Sequence, residues 1–265
     1  MVLAIWSLCI EPGSLKIVEH HLRLPDWPKA CAGLKLAVLA DLHVGSPFNG
    51  IDKLREIVEL TNRSKPDLVL LPGDFVIDGV LGGDFVPPET AANVLGKIEA
   101  SAGIFAVLGN HDWWLDPSRV ERALADANIS VMEDRSQKIT HGACSFFLVG
   151  VSDFTEGPHD LEKALSEVTA SDSTLLFTHN PDVFPEIPDH IELTIAGHTH
   201  GGQVYLPGLG RLVVPSGYDE RFAIGHIVES GRHLFVSSGI GTSILPVRFL
   251  VPPEITLLTV DSDGP

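Results

Sequence analysis

The chain alternates short, almost wholly apolar runs with polar loops, and many of the loops lead into segments of helical periodicity. "GLKLAVLADLH" (33–43) reads as a strand of roughly six residues running into a polar loop. "IDKLREIVELTNRSKP" sets Ile51, Leu54, Ile57 and Val58 at helical spacing and stops before Pro66. "DLVLLPGD" is a second apolar run, "ETAANVLGKIEAS" a second helix, and "GIFAVLGNHD" a third run with a polar end. "DPSRVERALADAN" opens on an Asp cap and an early proline, which predicts a helix. "ISVMED" and "CSFFLVGVSDF" follow as strands, "DLEKALSEVTA" as a helix, and "STLLFTHNPDVF" and "IELTIAGHTH" as strands with polar ends.

Strand, polar loop and helix thus repeat, which predicts βαβ units with parallel pairing. Strands this apolar are covered on both faces. From about residue 203 the pattern changes to short β segments, "QVYLP", "RLVVPSG", "HLFVSSG" and "EITLLTV", with little helix between them. No compositional break marks a linker, so residues 1–265 are expected to form a single domain, with 1–33 as an N-terminal arm or strand.

The polar ends share a chemistry. They hold Asp41 and His43, then Asp74, then Asn110, His111 and Asp112, then His179, then His198 and His200. Ligands of α/β sheets bind beyond the carboxyl ends of the strands, so the five clusters can meet at one sheet edge. Carboxylates, an amide oxygen and imidazoles without thiolate suit Mn, Fe, Zn, Co or Ni better than Ca, and suffice for two ions. Asp-x-His and His-Thr-His each place two side chains on one side of an extended segment.

The ordered set Asp-x-His, Gly-Asp, Gly-Asn-His-Asp, His, Gly-His-Thr-His resembles the calcineurin-like metallophosphoesterases. The tail "SSGIGTSILPVRFLVPPEITLLTV" and the lead-in "EPGSLKIVEHHLRLPDWP" resemble the bacterial branch of YkuE- and YaeI-like phosphodiesterases. The resemblance implies an α/β (α+β) fold, two mixed sheets packed as a sandwich flanked by helices, with metals at one edge. It implies that Asp41, His43 and His200 hold one divalent ion, that Asn110, His179 and His198 hold a second, and that Asp74 bridges them, with manganese the favoured occupant. His111 would contact the phosphate and assist the leaving group.

Two ions so placed would supply a water-derived nucleophile for phosphorus, and they and His111 would neutralise charge on the other oxygens. The expected activity is a phosphodiesterase acting on small esters. The alternatives are a pyrophosphatase of the UDP-2,3-diacylglucosamine type and a non-catalytic binding scaffold, the latter disfavoured because no ligand is missing.

Many relatives carry an acid three residues after the bridging Asp to orient the histidine of the Gly-Asn-His motif; here Asp78 stands four residues on and reads equally as that orienter or as an exposed turn residue, with Asp112 the alternative orienter. Asp153 reads as a loop-capping residue near the mouth. Arg221 and Arg248 read as surface ion-pair partners before contacts to a substrate anion, and Trp113 and Trp114 as core or as a wall for an apolar leaving group.

A formal net charge of −17 argues against long nucleic acid as a partner. It permits an anionic ester, since bound divalent ions leave the site positive. Three cysteines, with no Cys-x-x-Cys pair, make a disulfide framework or a thiolate zinc site improbable and fit a reducing compartment. "MVLAIWSLCI" carries no charge and is shorter than the roughly 20 residues of a spanning helix. It reads as a first strand or packed arm, or as the remnant of a longer membrane or export segment. The chain is accordingly expected in the cytoplasm or peripheral to the membrane, with membrane contact through the N-terminus possible but not required.

Overall fold

A computed structural model describes residues 2–77 and 79–263. In chain order the strands are β1 (Lys16–Leu24), β2 (Leu34–Val38), β3 (Leu68–Pro72), β4 (Ile104–Val107), β5 (Ser130–Val131), β6 (Arg135–His141) and β7 (Cys144–Val151). They continue with β8 (Thr174–Thr178), β9 (Leu193–Ala196), β10 (Tyr205–Leu206), β11 (Gly210–Arg211), β12 (Gly225–Glu229), β13 (Arg232–Val236) and β14 (Glu254–Ser262). The helices are α1 (Val2–Ile5), α2 (Ile51–Ser64), α3 (Pro88–Leu95), α4 (Asn110–Leu115), α5 (Pro117–Asp126) and α6 (Leu161–Ala164).

Two mixed six-stranded sheets form the frame, in the orders β1-β14-β2-β3-β4-β5 and β12-β13-β9-β8-β7-β6. Parallel pairing runs through β2, β3, β4 and β5 in one sheet and through β7, β8, β9 and β13 in the other. The period-2 geometry of these strands splits each run between two cores. Leu36, Val38, Leu68 and Leu70 point between the sheets, where they join Leu148, Leu175, Phe177 and Ile195. Ala37, Leu39, Val69 and Leu71 point outward, under α2, α3 and α5. Phe184 and Phe222 help cover the outer face of the second sheet.

Three expectations need correction. Residues 2–10 do not form a strand: Val2–Ile5 is helical, Trp6–Ile10 continues it as a wide turn, and none of these residues is buried. Nine residues without a charge, a glycine or a proline take the local structure that satisfies their own backbone. α6 is shorter than "DLEKALSEVTA" suggests and stops at Ala164, just before the Ser166, Val168 and Thr169 of weaker helix propensity. Cys31 and Cys144 form a disulfide, leaving Cys9 free and exposed. The partners stand 113 residues apart, Cys31 in the turn before β2 and Cys144 at the start of β7, so no sequence spacing reveals them. Among the described residues no helix is long and apolar enough to cross a membrane.

Candidate metal centre

The site gathers at the carboxyl ends of the parallel strands, with both sheets contributing. Asp41 and His43 follow β2, Asp74 follows β3, and Asn110, His111 and Asp112 open α4 after β4. From the other sheet, His179 follows β8, and His198 and His200 follow β9. Asp41, His43, Asp74 and His200 are buried, and one donor atom from each lies within 4.8 Å of all the others. His43 Nε2 stands 3.1 Å from His200 Nε2, and His200 Nε2 is 3.7 Å from Asp41 Oδ1.

A second set adjoins the first. His179 Nε2 is 3.0 Å from His198 Nδ1 and 3.1 Å from Asn110 Oδ1. Asp74 Oδ2 belongs to both sets, 3.3 Å from His43 Nε2 and 3.5 Å from His179 Nε2. All seven residues singled out as ligands in the sequence therefore converge.

The local backbone differs from the extended segments expected. Asp41, His43, Asp74, His198 and His200 all adopt positive φ, between 39° and 69°. Non-glycine residues rarely do so, and such strain concentrates where a site requires it. Glycines make room beside them. A Cβ on Gly239 would come within 2.7 Å of Asp41 Oδ2, and one on Gly241 within 2.7 Å of the His43 Cβ.

The electrostatics fit a bound cation. Burial raises Asp41 to about 7 and holds Asp74 well above the usual carboxylate range, with Asp112 adding to the effect on Asp74. Burial pushes His198 down to about 3 and keeps His43 and His200 well below their usual range, so all three are neutral with a free lone pair. Asp41 Oδ2 is buried without a hydrogen-bond partner. Carboxylates sunk among neutral imidazoles are costly alone and are compensated by a divalent ion in their midst. His179 is aimed by its other nitrogen, with Nδ1 2.7 Å from the Pro72 carbonyl, and His43 by Nδ1 at 3.2 Å from the Val76 carbonyl. Carbonyl partners of this kind fix the tautomer of a ligating histidine.

The surrounding residues take definite places. The Asp112 carboxylate accepts the backbone N–H of Asp74, Gly109, Phe75 and Val76, at 2.8, 2.9, 3.0 and 3.3 Å. Asp78 lies outside the described residues. His111 packs edge-on to His43, with centroids 4.7 Å apart, and its Nε2 is 3.4 Å from Ser243 Oγ. Trp113 packs against the helix-side core, whereas Trp114 lies half out in solvent against the His111 ring at 4.6 Å. Asp153 caps its loop as expected, accepting from Thr155 and Glu156.

Arg221 makes the expected surface pair with Glu229. Arg248 does not. It is fully buried, and its guanidinium donates to the carbonyls of Gly241, Ser238 and Val251 at 2.7, 2.9 and 3.0 Å. An arginine inside "ILPVRFLVPP" is a charge in an apolar run, and that was the available signal. Gln203, invisible as a functional residue in the sequence, accepts Ser243 N–H at 2.9 Å and donates to the Leu245 carbonyl, tying the histidine loop to the loop beside His111.

A helix-flanked double sheet with a buried Asp/His metal site at its strand ends defines a metallophosphoesterase, a hydrolase of phosphoric esters. Residues 34–202 match the family model of the calcineurin-like phosphoesterases, and the chain belongs to that family. It is 32% identical to the phosphodiesterase YaeI of Escherichia coli over 252 residues, covering 94% of this chain and 89% of that one. It is 29% identical to the uncharacterized metallophosphoesterase YkuE of Bacillus subtilis, covering 96% and 88%. It is 24% identical to the UDP-2,3-diacylglucosamine pyrophosphatase LpxG of Chlamydia trachomatis, covering 96% and 92%.

Proposed function

We propose that the protein is a dinuclear metal-dependent phosphodiesterase of small esters. The observation that carries the reading is the position of Asp74 Oδ2 between His43 Nε2 and His179 Nε2, which suits a carboxylate shared by two ions. Asp41, His43 and His200 would complete one coordination set, and Asn110, His179 and His198 the other. Divalent ions held there would supply a water-derived nucleophile at neutral pH and would neutralise phosphoryl charge, and manganese is the first metal to try.

The chain's own groups do the rest. His111 would hold the phosphoryl oxygen and carry a proton to the departing one, a role supported by its contacts with His43 and Trp114. Asp112 holds the amides of 74–76 so that Asp74 keeps its aim. Trp114 offers an apolar wall to the leaving group. The likeness to YaeI supports the diesterase over the monoesterase. The disulfide supports a compartment outside the reducing cytoplasm.

Hydrolysis of a bis-aryl phosphate with Mn²⁺, before and after chelation, tests the reading. Activity should vanish with chelation, and His111→Ala should lower it by about 10²- to 10⁴-fold with metal content retained. Undiminished turnover in either case rejects it. A second reading, cleavage of a nucleotide-lipid pyrophosphate, is favoured by the likeness to LpxG and by the exposed apolar helix at the N-terminus. Turnover of such a pyrophosphate well above aryl diesters would select it.

A further inference from the structure

Acidic residues are spread over most of this chain, but three segments beside the metal centre carry none, and the exposed Glu220 borders them by accepting the Arg211 amide. Residues 2–10, 204–217 and 239–253 contain none of the 35 aspartates and glutamates. These same segments hold twelve of the twenty large apolar side chains exposed among the described residues, Leu3, Trp6, Leu8, Leu212, Ile244 and Leu245 among them.

The three segments form one continuous surface. The Arg248 amide donates to the Ser7 carbonyl at 3.0 Å, which joins the N-terminal helix to the 239–253 loop. Val251 N–H donates to Glu11 Oε1 at 2.8 Å, and the same carboxylate accepts the Trp6 indole N–H. Tyr205 N–H donates to the Phe249 carbonyl at 2.9 Å, which joins the 204–217 segment to the same loop. The surface reaches the centre itself, because Gln203 and Ser243 bond to each other and Ser243 Oγ meets His111. Leu81 N–H, bonded to the Ile244 carbonyl, brings a further exposed leucine to the rim.

We propose that this face docks on a lipid bilayer and sets the metal centre against the headgroup layer, where a lipid phosphodiester is its substrate. The proposal rests on the phosphate-ester reading of the site. Charge selects the occupant. With a net charge of −17, the molecule meets an anionic or zwitterionic membrane with least repulsion through the segments that carry no carboxylate of their own. Exposed side chains on a short uncharged helix and on two loops are the apolar half of an interfacial anchor. Cationic side chains are scarce there: Arg248 is buried, and Arg211 lies against Tyr205. Insertion of apolar groups, rather than attraction to anionic lipid, therefore drives the binding.

Flotation of the full chain with phosphatidylcholine vesicles tests this. The protein should float with the vesicles, and replacing part of the lipid with phosphatidylglycerol should not strengthen binding. The variant Leu3→Glu/Leu212→Glu/Leu245→Glu should lose at least about tenfold in partitioning. The variant should keep its rate on a soluble bis-aryl phosphate and lose about tenfold on an aryl phosphodiester carrying a long alkyl chain in the vesicles. Soluble turnover without flotation overturns the docking face and leaves the esterase reading intact. Flotation with no turnover of any ester removes the esterase reading but not the face. A dimer that the triple variant dissociates, together with absent flotation, assigns the face to a second copy and overturns the proposal.

Discussion

The Asp74 amide donates to Asp112 Oδ2 at 2.8 Å, so the residue shared by the two donor sets takes its aim from another acid beneath it. Asp112 spends both oxygens on four backbone N–H groups of two loops. Asp112→Asn turns one acceptor into a donor facing N–H groups. It should lower metal affinity by about 10- to 100-fold and cost about 1–3 kcal/mol of stability. Metal titration and thermal unfolding measure both, and Asp112→Glu should not restore the wild-type values.

Removal of metal should be legible as stability. Saturating ion at a hundred times its Kd adds about 2.7 kcal/mol to a fold that binds it only when folded. Calorimetry with Mn²⁺ and with chelator should show the gain in the wild type and its absence in Asp74→Ala.

The Cys31–Cys144 disulfide closes a loop across 113 residues. Its removal by Cys31→Ser/Cys144→Ser should cost about 2–5 kcal/mol, read as a lower midpoint in urea. Reductant should lower the wild type toward the variant and leave the variant unmoved. Cys9, already free, should react with a thiol reagent in both.

Glu133 supplies a pH dependence away from the ligands. It accepts the Leu108 amide at 2.8 Å, its other oxygen is buried without a partner, and burial raises it to about 8. The folded state therefore favours the protonated acid. That contribution is complete below the ordinary glutamate range near 4.5 and is lost as pH rises through about 8. Glu133→Gln keeps the acceptor and cannot ionise. In metal-free protein, the wild type should lose stability relative to this variant as pH rises from 4.5 to 8, by up to about 1.4 kcal/mol per pH unit. Parallel stability curves would show that the acid is solvated.

Much of this was readable in the chain because ligand chemistry and strand ends coincide. Leu34–Val38, Leu68–Pro72 and Leu193–Ala196 are apolar runs, and Asp41, Asp74 and His198 follow each within a few residues. What escaped reading depends on contacts distant in sequence. Cys31 gives no local sign of Cys144, and Gln203 gives none of Ser243, 40 residues on. β1 was read only as an arm or strand somewhere within 1–33, because Lys16–Leu24 lies on a sheet edge and mixes charged with apolar residues, so its run is broken. The positive φ values of Asp41 and His43 escaped because the sequence gives those positions no glycine, and the strain shows only in the assembled site.

The disulfide and the metal centre lie at opposite ends of the sandwich. Cys31 and Cys144 stand before β2 and at the start of β7, while the ligands follow the far ends of β2, β3, β4, β8 and β9. The loop that the disulfide closes also encloses Asp41, His43, Asp74 and Asn110. An unfolded but oxidised chain thus keeps these four donors on one covalent ring. When it refolds, only His179, His198 and His200 must come in from outside the ring, so the bond at one end shortens the search that rebuilds the site at the other.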